Sequence, residues 1–349
     1  GIVAEFCAVN FSTQKESPSD VPMFRDVVKA SPGCGEGTNI RVDLRESVEL
    51  TRDFDVDNAD INPLPAILDL RGVVFHESRC GSTLAANSMM VLNPQKHRVY
   101  SESSPPLQAM KACGEGYHKL CSVEAAANLL KDVIYIMGRS NDPKEENLFF
   151  KFQSITTRSL ETFRAAFPTT PWIFMYREPV EVLASQLNVP GGRISKANCV
   201  RSKNSPMIRE FIDKSEYHFD DLIDEEFCAI HLATLCESAL KNIEDAEGLG
   251  MAVNYSPDLV YDFLDVIFPQ HFRTPVDDAG RGRVLNISST YSKNRGRKDE
   301  EFKADSISKE RRATEEMKNA AKDFLEEAFH KLEKSEHNIR PSDEDDESR

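Results

Sequence analysis

The chain has 349 residues, of which 58 are acidic and 43 basic, giving a formal charge of −15. That length buries a full core as one large or two small domains, and an acidic field of this size repels nucleic acid and anionic membrane. Any anion the protein holds must therefore meet a local basic cluster.

No apolar run is long enough to span a bilayer. The opening GIVAEFCAVNFS lacks the charged start and long apolar middle of a signal peptide, and Gly at position 1 is compatible with a removed targeting or anchor segment. Residues 1–60 are poorly patterned, with turn formers at 17–22 and 31–38, and are expected to form an irregular arm wrapped on a domain spanning 61–336. Asp53, Asp55, Asp57 and Asp60 read as a solvated acidic face, because a calcium loop would need a Gly and a closing Glu that are missing.

Residues 73–92, VVFHESRCGSTLAANSMMVL, run from an apolar strand through a tight polar turn into an apolar-rich helix. Such a junction leaves backbone N–H groups at the positive end of a helix, a seat for an anion. Gly81 lets the backbone approach a phosphate, Ser82 and Thr83 add hydroxyls, Cys80 lies within the turn, and Arg79 supplies a permanent charge with a planar donor fork. The ATP-binding pattern G-x-x-x-x-G-K-[ST] is absent, since no Lys follows Gly81.

A second short strand over 97–100 leads into Ser101, Glu102, Ser103, Ser104 and two prolines. In open α/β sheets ligands sit at the carboxyl ends of strands, so Glu102 is placed to accept a proton from an attacking hydroxyl, or simply to brace the loop. His118, in a glycine-containing loop, and His76 are rival bases or packing residues. A helix over 122–138 is apolar on nearly all sides and is expected to be buried. Residues 147–155, NLFFKFQSI, read as a strand with Lys151 inside an apolar run, where a lysine is costly unless an anion meets it or its stem reaches solvent.

WIFMYREPVEVLASQL at 172–187 is another strand, turn and helix, with Pro179 suited to the helix's first turn. Arg177 ends the strand and Ser185 follows eight residues on, so both are able to face one phosphate. Residues 189–206 then carry Arg193, Lys196, Arg201 and Lys203 with no acid, as a lid for an anionic acceptor or as a solvated loop. A helix over 219–245 places His231 on its apolar stripe as a packed core histidine, and 250–256 reads as a short strand ending at Tyr255. Ser292, Lys293, Arg295, Gly296, Arg297 and Lys298 form a basic turn suited to phosphate. A helix over 305–336 docks one apolar side, and 337–349 is an acidic tail expected to be disordered.

These stretches together resemble the sulfotransferases that use 3′-phosphoadenosine 5′-phosphosulfate (PAPS). Arg79-Cys80-Gly81-Ser82-Thr83 is similar to that family's 5′-phosphosulfate loop, and Tyr176-Arg177-Glu178-Pro179 with Ser185 to its 3′-phosphate motif. The resemblance covers about 66–310 and implies a single α/β domain with a central parallel sheet flanked by helices. It implies that Lys151 and Ser154 line the site near the donor's bridging oxygen and that Tyr255 touches the adenine. Arg177, Ser185, Lys293 and Arg295 would hold the 3′-phosphate, although the family's Arg-Lys-Gly order is absent at the last turn. The implied reaction moves a sulfuryl group in line to a hydroxyl of a small-molecule or carbohydrate acceptor, with Glu102 as first candidate base, His118 as second, and no metal. An ATP-dependent P-loop kinase and a silent nucleotide-binding scaffold are the competing readings.

Eight cysteines show no zinc spacing. Cys113 with Cys121 and Cys7 with Cys34 are candidates for bridges, and free buried thiols fit as well. Three N-x-[ST] sequons begin at Asn10, Asn254 and Asn286, and the compartment leans to the secretory lumen with the cytoplasm as alternative.

Overall fold

The computed structural model describes residues 1–60, 65–112, 122–188, 192–293 and 312–339. Its strands are β1 (Val3–Phe6), β2 (Ile40–Asp43), β3 (Ala66–Ile67), β4 (Asp69–His76), β5 (His97–Ser101), β6 (Arg139–Ser140), β7 (Asn147–Lys151), β8 (Trp172–Tyr176), β9 (Gly250–Asn254) and β10 (Asn338–Ile339). Six of them form one sheet in the order β10-β9-β8-β4-β7-β5, and every neighbouring pair in it is parallel. Helices flank this sheet, as an all-parallel sheet requires, because each crossover must pass over a face and both faces must be covered.

The period of two along the strands explains why their sequences read as unbroken apolar runs. Val73, Phe75, Phe150, Trp172 and Phe174 enter one core, while Val74, Phe149, Ile173 and Met175 enter the other. The chain leaves β4 towards β7 and β5 on one side and takes up β8, β9 and β10 on the other. The order thus reverses between β4 and β8, and the crevice beyond their carboxyl ends is where such a fold receives a ligand.

The first sixty residues differ from the irregular arm expected of them. β1 and β2 pair antiparallel, a disulfide joins Cys7 to Cys34, and a helix runs Leu44–Asn58 with its first turn capped by the Asp43 carboxylate. The helix buries only Leu44 and Val48, a stripe too thin to register as a period in the sequence. Its acidic run is on a helix rather than in a metal loop, and Asp55 pairs with Arg139 at 2.5 Å.

Three further expectations change. The helix Val123–Met137 is amphipathic, burying Ala126, Ala127, Leu130, Val133 and Ile134 while Val123 stays exposed. The stripe expected as one helix over 305–336 is divided, among the described residues, into Glu315–Phe324 and Glu326–Lys334 with a break at Leu325. Asn338 and Ile339, assigned to the acidic tail, pair with Ala252 and Val253 as the sheet's edge strand.

Candidate functional site

β4 ends at His76, and the turn that follows is forced into unusual backbone conformations. Ser78, Arg79 and Gly81 have φ of 80°, 60° and 78°, and Gly81 is the N-cap of the helix Ser82–Leu92. Positive φ at two non-glycine residues costs free energy, which the surroundings must over-determine. They do so through His76: its Nε2 donates to the Phe152 carbonyl at 3.0 Å and its Nδ1 accepts the Ser78 N–H at 2.9 Å. Burial holds this imidazole well below its ordinary pKa, so it is neutral, and both ring nitrogens are occupied. His76 thus shapes the loop and has no nitrogen left to serve as a base.

A Cβ on Gly81 would lie 2.4 Å from the Tyr255 ring, so glycine is required there for close approach as well as for φ. Ser82 and Thr83 are buried in the first turn of the helix. Cys80 faces inward with its Sγ 3.2 Å from the Met175 carbonyl, and burial pushes the thiol up to about 12. Cys80 is therefore a packing residue rather than a reactive thiol.

Arg79 reaches across to the second motif. Its Nε donates to Ser185 Oγ at 2.8 Å, joining residues 106 apart in sequence. β8 delivers Arg177 to the same edge, and the next helix, Pro179–Leu187, starts with Pro179 in its first turn and the Glu178 carboxylate capping the Glu181 N–H at 2.8 Å. Arg177 is only 4% exposed; its Nε donates to Glu181 Oε2 at 2.6 Å and its guanidinium lies 4.3 Å from the centre of the Tyr255 ring. Tyr255 itself is positioned by its N–H, which donates to the Tyr176 carbonyl at 2.9 Å. One aromatic ring thus touches both loops.

On the other side of β4, Lys151 ends β7 at 1% exposure, and its ammonium forms an ion pair with Glu102, which has φ of 55° at the end of β5. Burial would push the Glu102 carboxyl up, but the charge and hydrogen bond of Lys151, with a smaller contribution from Lys293, outweigh it and hold the group down to about 2. Glu102 is therefore ionised and, in this pairing, weakly basic. Lys293 faces the same pair, and its loop is tied to the helix Ser82–Leu92 by Asn87 Nδ2 donating to the Ser292 carbonyl at 2.9 Å. Ser154 opens the 3-10 turn that follows β7, with no hydrogen bond from its side chain among those described.

The structure thus brings Arg79, Cys80, Gly81, Ser82, Thr83, Glu102, Lys151, Arg177, Ser185, Tyr255 and Lys293 to the carboxyl edge of one sheet. His118 and Arg295, along with Gly296, Arg297 and Lys298, lie outside the described residues. Two cavities, of ≈ 620 Å³ beside Phe6, Ile40 and Thr51 and ≈ 330 Å³ beside Lys15, Arg283 and Asn286, lie elsewhere and are lined by none of this cluster. Among the described residues no group of His, Cys, Asp and Glu is arranged to hold a metal.

Two participants were not singled out from the sequence. Glu181 is the i+4 partner of Arg177, a spacing that does carry a signal. Glu77 carries none, as a carboxylate in a polar turn reads as exposed. It is 1% exposed instead, accepts the Arg177 backbone N–H, and lies 3.6 Å from the Cys236 thiol. Burial pushes it up to about 8, so at neutral pH it is a carboxylic acid that fastens the first loop to the second.

No family model and no curated protein matches this sequence. Among solved structures, sulfotransferase STF9 from Mycobacterium avium aligns over 90% of this chain and 90% of its own, at 10% identity and a TM-score of 0.46.

Proposed function

We propose that this chain is a sulfotransferase that takes the sulfuryl group of PAPS and passes it in line to a hydroxyl. The reading is carried by the hydrogen bond from Arg79 to Ser185, which makes one anion seat of the two loops resembling the family's phosphate motifs. In this reading the amides around Gly81 to Thr83 and the Arg79 guanidinium neutralise charge as the bond from sulfur to the 5′-phosphate oxygen breaks. Arg177, Ser185, Lys293 and Arg295 hold the 3′-phosphate, and Tyr255 offers its ring to the adenine. The acceptor oxygen bonds to sulfur, its proton passes to Glu102 or His118, and adenosine 3′,5′-bisphosphate leaves. Glu102 becomes a stronger base when a donor anion beside Lys151 shares the ammonium that now holds the carboxyl near 2. Disulfides at Cys7–Cys34 and Cys199–Cys228 favour an oxidising compartment such as the secretory lumen.

Thermal unfolding with adenosine 3′,5′-bisphosphate, ADP or ATP tests the donor assignment. The bisphosphate should stabilise the protein well beyond the other two, and Arg177→Ala should remove the difference. Equal stabilisation by ATP, or none by any nucleotide, would sink the assignment and leave the kinase or scaffold reading.

A further inference from the structure

From Gly192 to Ser205 the chain holds Arg193, Lys196, Arg201 and Lys203 and no acid, within a protein of formal charge −15. Ala197, Cys199 and Val200 are buried, whereas Arg193, Ser195, Lys196, Asn198, Arg201 and Asn204 are exposed. The outer face therefore consists of cations interleaved with hydroxyl and amide groups, with no large apolar side chain among them. Arg209 extends it, donating to Asn204 Oδ1 at 3.0 Å and stacking 4.5 Å from the Phe219 ring. Some exposed cations elsewhere, among them Arg45, Lys96, Lys214, Lys318 and Lys331, are neutralised by a carboxylate beside them. Among the described residues Arg193, Lys196, Arg201 and Lys203 form no such pair, since their own stretch supplies no acid, and Lys203 instead lies 5.2 Å from the centre of the Phe227 ring.

The face is also fixed in place. The Cys199–Cys228 disulfide ties it to the helix Asp224–Glu244, and Ser202 Oγ lies 2.7 Å from Nδ1 of the buried His231. Arg158 donates to Ser205 Oγ at 3.2 Å and to Thr234 Oγ1 at 3.0 Å. Arg158 belongs to the 3-10 turn Ser154–Ser159 that follows β7, and its neighbour Thr157 donates to the His76 carbonyl at 3.4 Å. The basic surface is thereby bolted to the end of the sheet that carries Lys151 and Glu102.

We propose that this surface receives an acceptor that is itself anionic, a carbohydrate chain bearing carboxylates or sulfates. The inference rests on the sulfuryl-transfer reading and names its acceptor class. A protein of this net charge repels such a chain at long range, so capture needs a local cation cluster of this kind. Charges spaced among small polar groups suit a ligand recognised by its anions and hydroxyls. An acidic peptide is the competing ligand, since clustered arginines also recognise acidic motifs, and poly-glutamate stands for it in the test.

The test is binding of a labelled heparin oligosaccharide to the full chain at rising salt, beside neutral dextran and poly-glutamate. Arg193→Glu/Lys196→Glu/Arg201→Glu is compared with the wild type, and a Gln triple variant is carried in parallel. Heparin should bind most tightly, weaken with salt, and lose at least about tenfold in the Glu triple variant and less in the Gln one. Bisphosphate stabilisation should persist in both variants, showing that they fold and keep the donor site. Heparin affinity unchanged in the Glu variant, or poly-glutamate binding as tightly as heparin, overturns the inference. Failure of the donor reading would show separately, as no stabilisation of the wild type by bisphosphate.

Discussion

Replacing Lys151 by Met isolates the ion pair at the centre of the cluster. Lys151 is 1% exposed and its partner Glu102 is held down to about 2 against an ordinary value of 4.5, so the pairing outweighs the cost of burying the carboxylate. At 1.36 kcal/mol per pH unit, that depression corresponds to about 3 kcal/mol of stability at neutral pH. Because the folded-state value is the lower one, the contribution is present above 4.5 and is lost as pH falls towards 2. Met fills a similar volume but leaves the carboxylate half-sequestered with its principal cation gone, a change that costs roughly 3–5 kcal/mol for a buried pair. Urea unfolding of wild type and Lys151→Met from pH 7 to 3 should show a large gap at pH 7 that narrows as Glu102 protonates. The double variant Lys151→Met/Glu102→Gln should recover much of the loss. A gap below about 1 kcal/mol at pH 7, or one that does not change with pH, would refute the account of the pair, since a screened surface contact behaves that way.

Glu77 has the opposite sign, because burial raises its folded-state value to about 8. Stability is then lost as pH rises from 4.5 to 8, by about 3 kcal/mol at pH 7, and Glu77→Gln should flatten that limb of the pH–stability curve. Gly81→Ala meets both a φ of 78° and a ring atom 2.4 Å from the new Cβ, and should cost roughly 2–4 kcal/mol in urea unfolding. Adding Tyr255→Leu should relieve the steric part, so additive losses would count against the contact.

The two strand–turn–helix junctions were legible because each sits at a change of period, from an apolar strand to a helix. The apolar runs 73–75 and 172–176 end where the charges begin, and Pro179 and Gly81 mark the turns. What remained hidden depends on tertiary partners. Glu77 and Cys236 meet only when β4 lies on the helix Asp224–Glu244, and no local pattern announces a protonated carboxyl. The Cys7–Cys34 bridge was one of two candidate pairs, but Cys199–Cys228 was not weighed, since connectivity does not follow from spacing. The early helix Leu44–Asn58 escaped because its capping Asp43 precedes a mostly polar sequence in which only Leu44 and Val48 are buried.

The sheet order carries a consequence for how the protein is made. β4, the first of its six strands to leave the ribosome, occupies an interior position, and its two neighbours β7 and β8 are synthesised long after it. A nascent chain that has completed only β4 and β5 holds two apolar strands that do not pair with each other. β8 in turn waits on the far end of the chain, where Asn338 donates to the Tyr176 hydroxyl at 3.0 Å and β10 closes the edge beside β9. The contact of Arg79 with Ser185 therefore forms only after β8 has been made, and until then the apolar strands before it are without their sheet partners.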